Sequence, residues 1–218
     1  MRHPQTKNLF AYWMELFADA NESCGTPRRM PSRNAVEPAA IRNLLGDVFI
    51  LDGSDDGEVR YRIAGTRVCA LHGREMRGEP FADGFGVPNK SDARSWTGTM
   101  GTERCLVLLS TVATSRAGEV VALETLLLPL EHEGRTDRRA LGITTAADEP
   151  EWLGLVPVVA QDLCAARLIR PWESNVFLAN YPFALPDTVE AAPGRRNADP
   201  LVPHRTVSHL RVFEGGRA

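Results

Sequence analysis

Three long apolar runs follow one another in the middle of the chain: "RCLVLLSTVATS", "EVVALETLLLPLEHE" and "RRALGITTAAD". Only the turn residues "RAG" and "GRTD" separate them. Runs rich in Val, Leu and Thr and joined by so few polar residues form adjacent antiparallel strands, because a parallel join needs a crossover of about a dozen residues. An antiparallel meander between residues 104 and 147 is therefore the feature around which any fold for this chain must be built. Pro129 has no amide hydrogen to give a ladder, so the middle strand must bulge there or outrun its neighbour.

Upstream, "DVFILD" reads as a buried strand and "EVRYRIAG" as its hairpin partner, with "GSDDG" as the turn. In the second strand Val59, Tyr61 and Ile63 alternate with Arg60, Arg62 and Ala64. From Thr66 the period changes. Thr66 is placed to cap a short helix over Val68 to Leu71, Gly73 to end it, and a further helical turn is expected from Glu75 to Arg77 before Gly78. A helix from Ser91 to Gly101 then displays Ala93, Trp96 and Met100.

At the start of the chain, Leu9, Trp13, Leu16, Phe17 and Ala20 recur at steps of three and four, which makes one face of an amphipathic helix over Lys7 to Ala20. Such a face packs on its own domain or on a partner's identical helix, and the first needs no second chain. "CGTPRRMPSRNAVEP" is a surface connector. A short helix is expected next, opened by Pro38, carrying Ile41, Leu44 and Leu45, and closed by Gly46 in a left-handed cap.

Beyond Ala147 the chain changes character: eight of its fifteen prolines lie from Pro150 onward. "VAQDLCAARLI" can add one more helix or strand to the core. The expected division is a domain over 1–170 and a Pro-rich linker and tail over 171–218, whose closing "SHLRVFEGGRA" is able to dock. A formal charge of -3 supplies no global basic field for nucleic acid. Glu15 and Asp19 interrupt the first apolar stretch, which fits neither a signal peptide nor a membrane span, so a cytoplasmic location is expected. Cys24, Cys69, Cys105 and Cys164 lack the close spacing of a metal clip and read as reduced thiols.

The order helix, strand, strand, short helices, helix and three strands is that of a PAS domain, a five-stranded antiparallel sheet with small helices over one face. "RYRIAGTRVCALHGREMRGEPF" moreover resembles a bacterial PAS-like family with the signature R-x-AG-T-x-x-C-x-x-x-G-R-E-x-x-G. "YW" at Tyr12 and Trp13, "PSR" at Pro31 to Arg33, "LETLLLPL" at Leu123 to Leu130 and the closing "HLRVFEGGR" match in the same order. The resemblance implies an α+β sensor or interaction domain without a kinase, cyclase or helix-turn-helix output.

Several side chains bear on how such a domain would work. A cavity between sheet and helices would be lined from Cys69, Met76, Trp96 and Leu126. Glu124 interrupts an apolar strand, and Arg62 or Arg67 is the natural counter-charge that would tie the sheet to its helical cover. The alternative is that Glu124 faces water on an open sheet face. His72 reads as structural, since the helix that usually supplies a haem ligand in PAS domains contains no histidine here. Cys69 lacks the motif that surrounds a flavin-adduct cysteine. Arg28, Arg29 and Arg33 could meet a nucleotide phosphate but read first as a solvated cluster.

No nucleophile elbow, zinc-protease motif or phosphate loop occurs, so no catalytic residue, metal or cofactor is assigned. The expectation is a non-catalytic signalling or interaction module that docks a regulatory partner or itself, with Trp13 and Phe17 as contact residues if the first helix is the interface. The alternatives are a sensor of a small molecule or nucleotide messenger and, third, a small hydrolase whose scattered Asp, His and Ser residues converge in space.

Overall fold

A computed structural model describes residues 1–22, 29–53, 57–132 and 139–173, and the backbone of 205–207 and 210–214. Cys24, Arg28, most of the two expected turns around residues 54–56 and 133–138, and most of the Pro-rich tail lie outside the described residues. Among the described residues, thirteen apolar side chains of the three meander strands are buried because most of their length is covered on both faces, which explains why their runs are continuous rather than alternating.

The strands are β1 (Val48–Gly53), β2 (Val59–Ala64), β3 (Leu106–Ser115), β4 (Val120–Pro129), β5 (Arg139–Ala146), β6 (Val158–Ile169), β7 (Arg205–Val207) and β8 (Leu210–Glu214). They form one sheet in the order β2-β1-β5-β4-β3-β6-β8-β7. The first six are antiparallel neighbours, so a sixth strand joins the five expected, and β8 lies parallel to β6. "VAQDLCAARLI" is thus a strand on the free edge of β3. Pro129 falls where β4 has outrun β3, whose ladder ends at the pair Val107 and Leu127, and it costs no bond.

Helix α1 (Pro4–Asn21) lies on one sheet face and presses Leu9, Trp13 and Phe17 into a layer with Leu106, Leu126, Leu128 and Ile143. Its start is three residues earlier than the apolar spacing suggests, because His3 serves as N-cap and Pro4 occupies the first turn. Trp13 is fully buried, stacks on Phe17 at 5.4 Å and donates from Nε1 to the carbonyl of Pro129 at 3.1 Å. The aromatic face is therefore satisfied within the chain.

The other face carries α2 (Thr66–His72), short 3-10 turns at Phe81–Gly84 and Val87–Asn89, and α3 (Lys90–Glu103). Gly65, not Thr66, is the N-cap of α2, and a Cβ there would lie 2.2 Å from the carbonyl oxygen of Leu45. Gly73 ends the helix at φ 63°, accepting a conformation that costs a Cβ-bearing residue. No helical turn forms over residues 75–77: Glu75 and Met76 are irregular, with Met76 drawn fully into the core, and a turn begins only at Arg77 and Gly78. The segment after Pro38 shortens to a 3-10 turn, Arg42–Leu44, and leaves Leu45 exposed. Gly46 is not left-handed. Its place is beside the guanidinium of Arg67, 3.2 Å from where a Cβ would be.

Candidate functional site

The layer between the sheet and α2–α3 is where the sequence places a ligand cavity. Phe49, Tyr61, Phe81 and Phe85 occupy its centre, with ring centroids 5.3 to 6.1 Å apart along the cluster. Met76 and Trp96 belong to the same layer and Cys69 packs against it. Leu126 does not. It points to the opposite face, under α1, so the four expected lining residues do not share one cavity. The cause is strand alternation: Leu126 and Leu127 face opposite sides, and in an all-apolar run nothing in the composition says which. Burial raises the Tyr61 hydroxyl well above its usual pKa, with Cys69 adding to the effect.

The expected pairing of Glu124 with Arg62 or Arg67 is not formed. Arg67 donates from Nε and Nη2 to the two oxygens of Asp47, both at 2.7 Å. This bidentate bond, and then the charge of Asp47, raise the pKa of Arg67 further. Arg62 is the extra residue of a bulge between Ile50 and Leu51 of β1 and turns outward to Asp52 at 3.2 Å. Arg139 reaches the same Asp52 oxygen from β5 at 2.7 Å. Glu124 is buried and receives the backbone amides of Arg2 at 2.9 Å and His3 at 3.4 Å, with the Met1 amino group 3.9 Å away. It ties down the start of α1, not the helical cover.

The arginines of the signature segment are accordingly structural ties. Besides Arg62 and Arg67, Arg60 donates to the carbonyl of Gly78 and Arg74 pairs with Glu79 at 3.1 Å. His72 is mostly enclosed at the C-terminus of α2, close to Gln161, and burial lowers its pKa to about 4, with Arg74 contributing. It stays neutral at physiological pH. Arg29 and Arg33 of the basic cluster are described, and Arg29 lies 4.0 Å from Glu131. Among the described residues, no group of three or more His, Cys, Asp or Glu side chains could hold a metal ion. No described helix is long and apolar enough to cross a membrane.

A cleft of about 350 Å³ opens elsewhere, at the end of the sheet where β1 has not yet begun and β5 is finishing. One wall is α2, through Val68, Ala70 and Leu71; another is the loop 149–154, through Pro150 and Leu153; Leu123 and Ala146 form the floor. Asp47, Arg67, Glu149 and His3 stand at its polar side. Sequence reasoning missed it because its walls come from six separate stretches of chain. The available signal was the abrupt end of "DVFILD" against the longer run "RRALGITTAAD", which leaves one strand projecting past its neighbour.

The antiparallel sheet in this strand order, with an N-terminal helix on one face and short helices on the other, is an α+β fold of the PAS type. The chain belongs to the PAS domain family, whose model matches residues 1–145, and PAS domains are signalling and sensory modules. Solved structures similar to this chain include the PAS domain of an HTR-like protein from Haloarcula marismortui, at 16% identity over 65% of this chain and 97% of that one, TM-score 0.36. The LOV domain of the blue-light photoreceptor Aureochrome1 is similar at 12% identity over 56% and 95%, TM-score 0.39. A PAS domain from Colwellia psychrerythraea is similar at 14% identity over 48% and 92%, TM-score 0.35. No curated protein matches the chain.

Proposed function

We propose that the chain is a non-catalytic, cytoplasmic PAS-type interaction module, formed by residues 1–170 with 171–218 as its linker and tail, that docks a regulatory protein or a second copy of itself. The observation that supports this reading is the state of the sheet face beside α1. The row Ser110 and Glu124 is buried, yet the next rows, Val112 with Ala122 and Thr114 with Val120, are only partly covered, and Val120 is 53% exposed. Small apolar side chains on a sheet face are a surface that another protein can cover at little desolvation cost. Trp13 and Phe17 serve this surface indirectly, by holding α1 in place along its border.

The test is the mass of the native protein by sedimentation, compared with that of a Val120→Glu, Ala122→Arg variant. A complex or dimer that falls to the monomer mass in the folded variant supports the reading; a complex that the variant leaves intact removes this face from it. A second reading, a sensor of a small molecule, is favoured by the cleft beside α2, which reaches the lower end of the size range of small-ligand sites.

A further inference from the structure

We infer that the cleft between α2, the end of β5 and the loop 149–154 binds a small neutral molecule through an amide edge, meaning a lactam or a short blocked peptide. The inference deepens the sensor reading and rests on it. It starts from the hydrogen-bonding parity of β5. The amide of Ala147 donates to Ala122 of β4 at 2.9 Å, and that of Thr144 donates the other way, to Asp47 at 3.1 Å. Even-numbered residues at this end of β5 thus turn their backbone groups away from β4 and toward β1.

Ala146 is the next such residue, and β1 is no longer there to meet it. The first strand residue is Val48, paired with Ile143, and the preceding chain turns off through the 3-10 turn at Arg42–Leu44, where Asp47 N–H bonds to Leu44. The N–H and C=O of Ala146 therefore project into the cleft as an unextended piece of ladder. What complements a strand residue is another amide, with one donor and one acceptor.

The surroundings select the rest of the ligand. Val68, Leu71, Leu123 and Leu153 offer an apolar wall for a hydrocarbon body. The charges argue against an anion such as a nucleotide phosphate, because the guanidinium of Arg67 is engaged by Asp47 through two bonds and Glu149 places a second carboxylate in the lining. The loop 149–154 lies just past residue 145, where the match to the PAS family model ends.

The test uses the full chain labelled with nitrogen-15, titrated with caprolactam and, separately, with N-acetylleucine N-methylamide. Each has a control, its fully N-methylated analogue, which keeps the carbonyls and the apolar body but has no donor. The Ala146 cross-peak should move saturably with at least one probe, and the N-methylated control should bind about tenfold more weakly. Preference for caprolactam assigns a cis-amide ligand, and preference for the blocked leucine assigns a peptide. Ala146→Pro removes the donor, and Ala70→Phe fills the space toward Gly154, 3.7 Å from a Cβ there. Ala70→Phe should abolish the movement of the Ala146 cross-peak, and Ala146→Pro, which has no amide proton of its own at 146, should abolish the accompanying saturable movement of the Val68 to Leu71 amides, while the remaining spectrum stays that of the folded protein. No saturable movement at Ala146 up to about 10 mM probe overturns the inference. Movement confined to residues 76–100 overturns it too, while leaving the sensor reading alive at another site.

Discussion

The carboxylate of Glu124 accepts the backbone amide of Arg2 at 2.9 Å, joining the centre of β4 to the chain segment that leads into α1. A second tie, between the hydroxyls of Thr6 and Thr145 at 3.0 Å, lies one turn further along. Glu124→Ala removes the acceptor and leaves amide donors in a partly enclosed place, at a cost of about 1–3 kcal/mol. Glu124→Gln keeps an acceptor and should lose less. Urea midpoints give the difference, and faster hydrogen exchange in the first turn of α1 is expected in the alanine variant. Unchanged exchange there would mean that Glu124 does not hold the helix.

The buried face of α1 sets the scale of the outer layer. Trp13→Ala leaves a large cavity and an unmatched Pro129 carbonyl, so about 3–5 kcal/mol of stability should be lost. Loss of α1 packing without general unfolding would be visible as fast hydrogen exchange along α1 while the amides of the sheet stay protected.

Gly142 has no room for a side chain. A Cβ there would sit 2.2 Å from the ring of Phe49, its ladder partner on β1. Gly142→Ala should cost about 1–3 kcal/mol through strain. Phe49→Leu in the same chain removes the ring atoms responsible, so the double variant should be more stable than the sum of the single losses, with the coupling read from a double-mutant cycle.

Acid should weaken the fold through His72. Its pKa is lowered to about 4 by burial, against 6.5 for the free group, so the unfolded chain takes up a proton more readily over that interval. Its contribution is complete above pH 6.5 and is lost as the pH falls toward 4, with an upper bound on the order of 3 kcal/mol because the ring is not sealed from water. His72→Gln should flatten the stability curve between those values. An unchanged slope would assign the acid sensitivity to other groups.

The thiols should differ in reactivity. Burial pushes Cys105 up to about 12, while Cys164 and Cys69 are raised by burial but remain partly accessible. Iodoacetamide at pH 8 should therefore label Cys69 and Cys164 in the native protein and reach Cys105 only on unfolding, as peptide mass mapping would report.

Much of the fold was legible because local signals agreed with one another. The spacing of Leu9, Trp13 and Phe17, the strand runs and the glycines at 65, 73 and 78 each reflect a constraint carried by a few neighbouring residues. The sites were less legible because they depend on orientation and distance. Glu124 appeared to need an arginine, yet Asp47 and Asp52 lie closer to Arg67 and Arg62 in the folded hairpin, and main-chain donors meet the glutamate instead. The side on which Leu126 falls follows from register, which an unbroken apolar run does not encode.

The position of β5 between β1 and β4 has a consequence for synthesis. β1 is made about ninety residues before the strand that must pair with it, and α1 earlier still, although both depend on β5 for their cover. A nascent chain halted near residue 130 would lack the β5 partner of β1 and the Leu141 and Ile143 part of the layer under α1. Its apolar surface stays open to wrong contacts until β5 has emerged as far as Ala146.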